Sequence, residues 1–279
     1  MELDLDVVGR TLEGPDFHYD WQRTALYALG IGAGTEALDY TWEGSARFQT
    51  YPSFAVIPVQ SIIWDALKQV RADYRTLVHG EQTIRLHKPF PAVGPLRSVG
   101  RIPVVHDKGK AAVVVIETQT HDATGELVAE TNWSIFCRGQ GGFGGQSGPA
   151  PTLPEAAPGA APAFSSSNET TRSQALLYRL SGDLNPLHVD PNLGPKVGFE
   201  GPILHGLCTY GIAARNVVHH LCGGDASRLR RFSARFSGIV YPGDTVAVRA
   251  VPSTRTDTWL LSAHVGERAV LSHGVVEIG

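Results

Sequence analysis

Residues 178–211 read YRLSGDLNPLHVDPNLGPKVGFEGPILHGLCTYG. Within six residues they place an acid, an amide and an imidazole: Asp183, Asn185 and His188. The Gly182, Asn185 and Pro186 around them predict a tight loop, with Pro186 fixing its own φ and restricting Asn185. Such a trio suits proton transfer near neutral pH, because imidazole titrates there and Asn both donates and accepts. An acid and an imidazole this close titrate as a pair, so base and acid are not assigned. Further on, Leu204-His205-Gly206 opens a run in which Leu207, Cys208, Gly211, Ala214, Val218, Leu221 and Cys222 recur at helical spacing. That pattern predicts a helix over 204–222, apolar on one face and suited to be the buried axis of a sheet. A glycine N–H at such a start lies at the positive end of the helix dipole and suits an oxyanion. Each residue alone has a plainer explanation: an Asx turn, a proline turn, a structural histidine, a packing glycine.

Around this stretch the chain repeats an order. Helical periodicity over 170–180 and 204–222 precedes strand-like runs at 230–240, 244–252, 257–265 and 269–278. Earlier, helical runs from Asp20 to Leu29 and over 60–72 precede strand-like runs at 78–88, 97–106, 111–121 and 127–137. VHGEQTIRLHKPFPAVG parallels RFSARFSGIVYPG, and TGELVAETNWSIF parallels GERAVLSHGVVEI. Two copies of one unit are expected, each an antiparallel sheet around a central helix. That is an α+β double hot-dog fold. The boundaries are residues 1–138 for the first unit and 170–279 for the second. Residues 139–169 between them are dense in Gly, Pro, Ala and Ser and predict a linker. A passive tether is the main expectation; the alternative makes Phe143 a mobile flap over a ligand.

Composition narrows the function. With 279 residues the chain holds one large domain or two of about 140. Its formal charge of −3 and the lack of a basic stripe argue against nucleic acid. No apolar run approaches the ~20 residues of a membrane span. The N-terminus lacks a signal pattern, and three widely spaced cysteines imply neither disulfides nor a zinc knuckle. A cytoplasmic protein in a reducing compartment is expected. GIGAGT at 30–35 is not a dinucleotide loop, since a helical pattern rather than a strand precedes it. His219-His220 near Cys222 lacks a second ligand pair, and no serine lies in a nucleophile elbow, so no metal is expected.

LSGDLNPLH followed by GFEGPILHGLCTYGIAAR resembles the signature of the 2-enoyl-CoA hydratase 2 family, with its MaoC-like double hot-dog fold. YALGIGAG, PSFAVIP, LVHGEQTIRLHKPFP, DKGKAAVV and RGQGGFGG in the first half are also similar to family segments. The hydratase domain of peroxisomal multifunctional enzyme type 2 is of this kind. The resemblance implies reversible hydration of trans-2-enoyl-CoA to (3R)-3-hydroxyacyl-CoA, as in β-oxidation, without cofactor or metal, by a homodimer. It implies catalysis by Asp183 and His188, with Asn185 supporting the water and Gly206 supplying an oxyanion N–H. It puts His79, Gly80, Lys108 and Phe236 at the acyl-CoA site, with the loop residues Leu184, Pro186 and Leu187. Arg235 is a further candidate, for a CoA phosphate. The first unit lacks the Asp-x-Asn-Pro-x-His pattern, which implies one active site per chain and an acyl pocket widened by that unit. A hot-dog thioesterase would need a carboxylate aimed at the thioester carbon instead. A non-catalytic acyl-CoA binding module would not need the full acid, amide and imidazole set.

Overall fold

Among residues 2–279, which this computed structural model describes, ten strands form one antiparallel sheet. The first unit supplies β1 (Thr11–Glu13), β2 (Leu77–Leu86), β3 (Arg97–Asp107), β4 (Ala111–His121) and β5 (Leu127–Arg138). The second supplies β6 (Phe164–Glu169), β7 (Leu229–Phe236), β8 (Thr245–Pro252), β9 (Thr258–Val265) and β10 (Arg268–Ile278). Their order across the sheet is β1-β3-β4-β5-β2-β7-β10-β9-β8-β6. Outward from the β2–β7 pair, β5, β4, β3 and β1 on one side match β10, β9, β8 and β6 on the other. The repeat is therefore topological, and the two halves share a seam. There Glu81 lies opposite Arg235 and Ile84 opposite Phe232. The Arg235 guanidinium bonds the Glu81 carboxylate at 2.6 and 2.8 Å. That pair occupies the side chain expected to reach a phosphate.

The helices are α1 (Trp21–Gly30), α2 (Leu38–Thr41), α3 (Gln60–Gln69), α4 (Gln174–Tyr178) and α5 (Gly206–His220). α3 buries Ile62, Ile63, Ala66 and Leu67 along one stripe against the first unit's strands. α5 is buried almost all round, with Leu207, Tyr210, Ile212, Val217 and Val218 inside. It packs on β7, β8 and β10, and also on the turn Pro52–Val56 of the first unit. A helix covered on both sides is apolar on both. Gly211 permits the close approach: a Cβ there would stand 2.4 Å from Ile31 Cγ2. Each buried aliphatic side chain contributes about 1.5–3 kcal/mol.

Local chemistry sets the ends. The Asp20 carboxylate accepts the Arg23 N–H at 3.3 Å and caps α1. Gly32, at φ +78°, turns the chain after α1, so GIGAGT is a helix end. The 60–72 helix stops at Gln69, with Arg71 at φ 57° beyond it. The 170–180 helix breaks into α4 and a 3-10 turn at Arg179–Ser181. The 204–222 helix begins at Gly206, because His205 at ψ 132° is still extended. The 230–240 strand ends at Phe236.

The segment 139–169 differs from a plain tether. Its last six residues are β6, paired along β8 from Phe164 opposite Ala250 to Glu169 opposite Thr245. β6 reads FSSSNE, without apolar alternation, because its inward residues are satisfied by polar partners on α5. Ser166 donates to Asn216 at 2.7 Å, and Asn168 Oδ1 accepts from Asn216 at 2.8 Å and Arg215 at 2.9 Å. At the other end, the Asp107 carboxylate accepts the N–H groups of Gly109, Gly142 and Gly144, each at 2.8 Å. The Asp107 N–H donates to the Gln146 carbonyl at 3.0 Å, and Lys108 Nζ donates to the Ser147 carbonyl. Phe143 is thus carried on a loop pinned by one buried acid. Those amide donors, Gly142 foremost, hold the Asp107 carboxyl below the usual carboxylate range. We expect Asp107→Ala to release this loop, so that limited proteolysis cuts within 139–148 several-fold faster while circular dichroism of the sheet is unchanged. Cleavage at the native rate would show that the carboxylate does not hold the loop.

Candidate active site

The loop after α4 is built from its own side chains. Asp183 Oδ1 accepts the Asn185 N–H at 3.1 Å, and Asn185 Oδ1 accepts the Leu187 N–H at 3.0 Å. The second bond caps the 3-10 turn Pro186–His188, with Asn185 extended at φ −53°, ψ 121° as a residue before proline prefers. The Asn185 side-chain oxygen is thus used in shaping the loop, and the residue is exposed. Leu184 and Pro186 are exposed on the rim, and Leu187 is half-buried. Gly182 has φ +140°, and a Cβ there would stand 2.7 Å from Oε1 of Gln60, the first residue of α3. The first unit's central helix therefore starts against this loop.

His188 is buried, with Nδ1 2.8 Å from the Ile203 carbonyl. A carbonyl only accepts, so Nδ1 carries the proton and Nε2 offers its lone pair. Nε2 lies 3.9 Å from Asp183 Oδ2, a gap that one water spans and a direct bond does not. Burial pushes the His188 pKa down, against an opposing pull from the Asp183 carboxylate and the Ile203 carbonyl. The ring is therefore neutral at pH 7.

His205 immediately precedes α5. Its ring stacks on His188 at 3.6 Å between centroids and 24° between planes. Its Nε2 donates to the Asp183 carbonyl at 3.1 Å. Gly206 follows as the first residue of α5. Its N–H precedes the first helical hydrogen bond, since the His205 carbonyl is taken by Cys208 and Thr209. A Cβ on Gly206 would meet two ring carbons of Phe236 at 3.2 Å. The Phe236 ring packs on His79 at 4.6 Å, and His79 stacks on Trp133 at 4.8 Å. His79 Nε2 donates to the Glu81 carbonyl at 3.1 Å, and burial pushes its pKa down to about 3. Gly80 forms a β-bulge between His79 and Glu81, where a Cβ would approach the Ser134 carbonyl oxygen to 3.0 Å.

The structure thus brings Asp183 and His188 together, joins them to Gly206 through its neighbour His205, and sets Phe236 between Gly206 and the first unit's His79. Lys108 stands apart, in the β3–β4 turn with its ammonium on Ser147. Arg235 is held by Glu81. Sequence reasoning assigned no role to His205. Its signal was an imidazole at a helix N-cap, where Ser, Thr, Asp, Asn or Gly is preferred.

Among the described residues, Asp183, His188 and His205 are the acid and imidazole groups close enough to share a cation, with donor atoms within 4.8 Å. Their two rings are stacked, so the in-plane lone pairs run side by side instead of converging as tetrahedral zinc requires. Near His219 and His220, Cys222 is buried and the His220 ring stacks on Phe164. Cys137, Cys208 and Cys222 are buried and unpaired. No helix among the described residues is long and apolar enough to cross a membrane.

A seam-sharing pair of helix-in-sheet units is a double hot-dog fold, and its second unit carries the acid–imidazole loop. Residues 17–139 match the model for the MFE-2 hydratase 2 N-terminal domain, and residues 154–266 match that for the MaoC like domain. The chain is 41% identical over 288 residues to 3-hydroxyacyl-thioester dehydratase Y of Mycobacterium tuberculosis, covering 99% of both. It is 37% identical over 253 residues to a probable enoyl-CoA hydratase 2 of Dictyostelium discoideum, covering 88% of this chain and 86% of that one. The crystal structure of a MaoC-like dehydratase from Phytophthora capsici superposes with a TM-score of 0.86 at 29% identity, covering 99% of each chain. The chain belongs to the MaoC-like hydratase 2 family.

Proposed function

We propose that the chain catalyses reversible hydration of a trans-2-enoyl-CoA to the (3R)-3-hydroxyacyl-CoA, as a hydro-lyase. One observation carries this reading: His188 Nε2 and the Asp183 carboxylate face each other across 3.9 Å, with the Gly206 N–H at a helix start nearby. A water held between them loses a proton to the pair as its oxygen bonds C3. C2 then receives a proton from the same pair, so that H and OH both come from one water. Electron density moves meanwhile onto the thioester oxygen, and the Gly206 N–H with the α5 dipole stabilises it. Glycine lets the thioester approach the backbone. The relatives' names, a hydratase and a dehydratase, support both directions of one reaction.

Within the same reading the residues 1–138 unit borders the acyl group, through His79, Gly80 and the α3 start at Gln60. Leu184, Pro186, Leu187 and Phe236 line the approach, and Lys108 reaches the CoA end by giving up its bond to the Ser147 carbonyl. Neither metal nor cofactor takes part. The chain works as a homodimer in the cytoplasm, where unpaired thiols persist.

The test is incubation with crotonyl-CoA and a longer enoyl-CoA, following loss of the conjugated absorbance. Release of free thiol without hydration would replace this reading with a thioesterase. Binding without either reaction would leave an acyl-CoA binding module.

The imidazoles of His79, His188 and His205, each shifted downward by its surroundings, predict acid sensitivity. His79 and His205 have folded pKa values of about 3, and that of His188 is also lowered, against about 6.5 when unfolded. Below pH 6.5 the unfolded chain therefore binds more protons than the folded one, and stability falls as pH drops from 6.5 toward 3. The melting temperature should be flat from pH 6.5 to about 8, where the buried thiols, whose pKa values burial raises, begin to oppose folding, and decline below 6.5. kcat/KM should hold through pH 6.5 and fall only at lower pH. A break in activity at or above 6.5 would contradict a neutral His188.

A further inference from the structure

His205 has no part in the mechanism above, yet its ring is at the centre of the site. It is 1% exposed, and its side chain makes no capping hydrogen bond to α5. An imidazole at an N-cap position gives up the stabilisation that a Ser, Thr or Asp provides there. Such a break with local preference is a mark of a functional position. We propose that His205 is a positioning residue that clamps Asp183 and His188 into one frame. The inference rests on the hydratase reading of this site and adds a residue to it.

The geometry is specific on three sides. The Nε2–H bonds the Asp183 carbonyl at 3.1 Å and so fixes the main chain that carries the carboxylate. The ring face lies 3.6 Å beneath His188, whose outer edge is already tied to Ile203. With both rings restrained, the His188 lone pair keeps its direction toward Asp183. The His205 main chain, in turn, leads straight into Gly206. One side chain thereby couples the proton-transfer loop to the oxyanion end of α5. Behind it lies Tyr178, with ring centroids 5.0 Å apart.

The tautomer follows from the bonds. Nε2 donates to a carbonyl, so Nδ1 is bare, and Nδ1 is buried without a partner among the described residues. The charged or titratable groups facing His205 are His188, Asp183, Arg179 and Tyr178. Burial, with His188 and Arg179 beside it, keeps the ring uncharged. A neutral brace lets His188 take up and return its proton without a second cation beneath it.

Three variants separate the functions of the ring. His205→Phe keeps the stacking face and loses the donor. His205→Gln keeps a donor amide and loses the stack. His205→Ala loses both. A hydrogen bond or ring contact of ordinary strength corresponds to about tenfold in rate. We expect kcat for crotonyl-CoA to fall about tenfold in the Phe and Gln variants and further in the Ala variant, with KM within about twofold of wild type. His188 followed by NMR titration in the free protein should take its proton at higher pH in His205→Ala, where water reaches the ring, and at the wild-type pH in His205→Phe. Folded Phe and Gln variants with wild-type kcat would overturn the proposal. So would a loss confined to KM or to melting temperature. If the Ala variant does not fold, the Phe and Gln variants still decide. A wild-type protein that fails to hydrate enoyl-CoA would instead sink the hydratase reading, and the His188 titration would still report whether His205 braces it.

Discussion

Replacing His188 by alanine lowers kcat for enoyl-CoA hydration by about 10²–10⁴-fold, the range for loss of a positioned proton-transfer group. Asp183→Asn lowers it to a similar degree, and is the cleaner change. The amide oxygen of Asn can still accept the Asn185 N–H that Asp183 Oδ1 accepts at 3.1 Å, so the turn survives while the charge is lost. In the proposed mechanism the two residues share one water, so the double variant is expected to lose little more than either single one, as groups acting as a unit do. Steady-state kinetics with crotonyl-CoA measures this, with circular dichroism and melting temperature as controls. Either variant retaining more than about a tenth of wild-type kcat, while folded, would remove Asp183 and His188 from the catalytic pair.

Phe54→Ala destabilises the fold by about 3–5 kcal/mol, the usual cost of emptying a buried aromatic site. Phe54 is fully buried in the turn Pro52–Val56, with Phe17, Tyr19, Tyr27 and Phe90 around its ring at 5.5–6.1 Å. That turn packs on α5, so the loss is felt beneath the helix that carries Gly206. At roughly 2–4 °C per kcal/mol for a chain near this size, the melting temperature drops by about 6–20 °C. Thermal unfolding checks it. A shift under about 2 °C would mean that the turn is not part of the common core. Below the transition, kcat should stay near wild type, which separates this variant from the site variants.

Much of this was legible in the chain. The apolar period of residues 204–222 and the Val-rich strands are read locally, and so is the turn chemistry of Asp183, Asn185 and Pro186. What was not legible depended on partners distant in sequence. β6 has a polar inner face because Asn216 and Arg215 meet it from α5, and no pattern within FSSSNE reports that. The glycine-rich stretch after β5 looks unstructured until Asp107 is seen gathering its amides. Arg235 looked free for a phosphate, because its opposite number, Glu81, is 154 residues away. His205 was overlooked for the same reason: its meaning lies in a ring stacked on it from another loop.

The two borders of the sheet have a consequence for colloidal behaviour. A long apolar border strand invites neighbouring molecules to add strands of their own. Here one border is β1, only three residues long, and the other is β6, whose outward residues Ser165, Ser167 and Glu169 are polar or charged. The first offers too little backbone to template a partner, and the second presents a hydrophilic rim with an acid at its end. Neither border strand is therefore the long apolar edge to which a neighbouring molecule could readily add a strand.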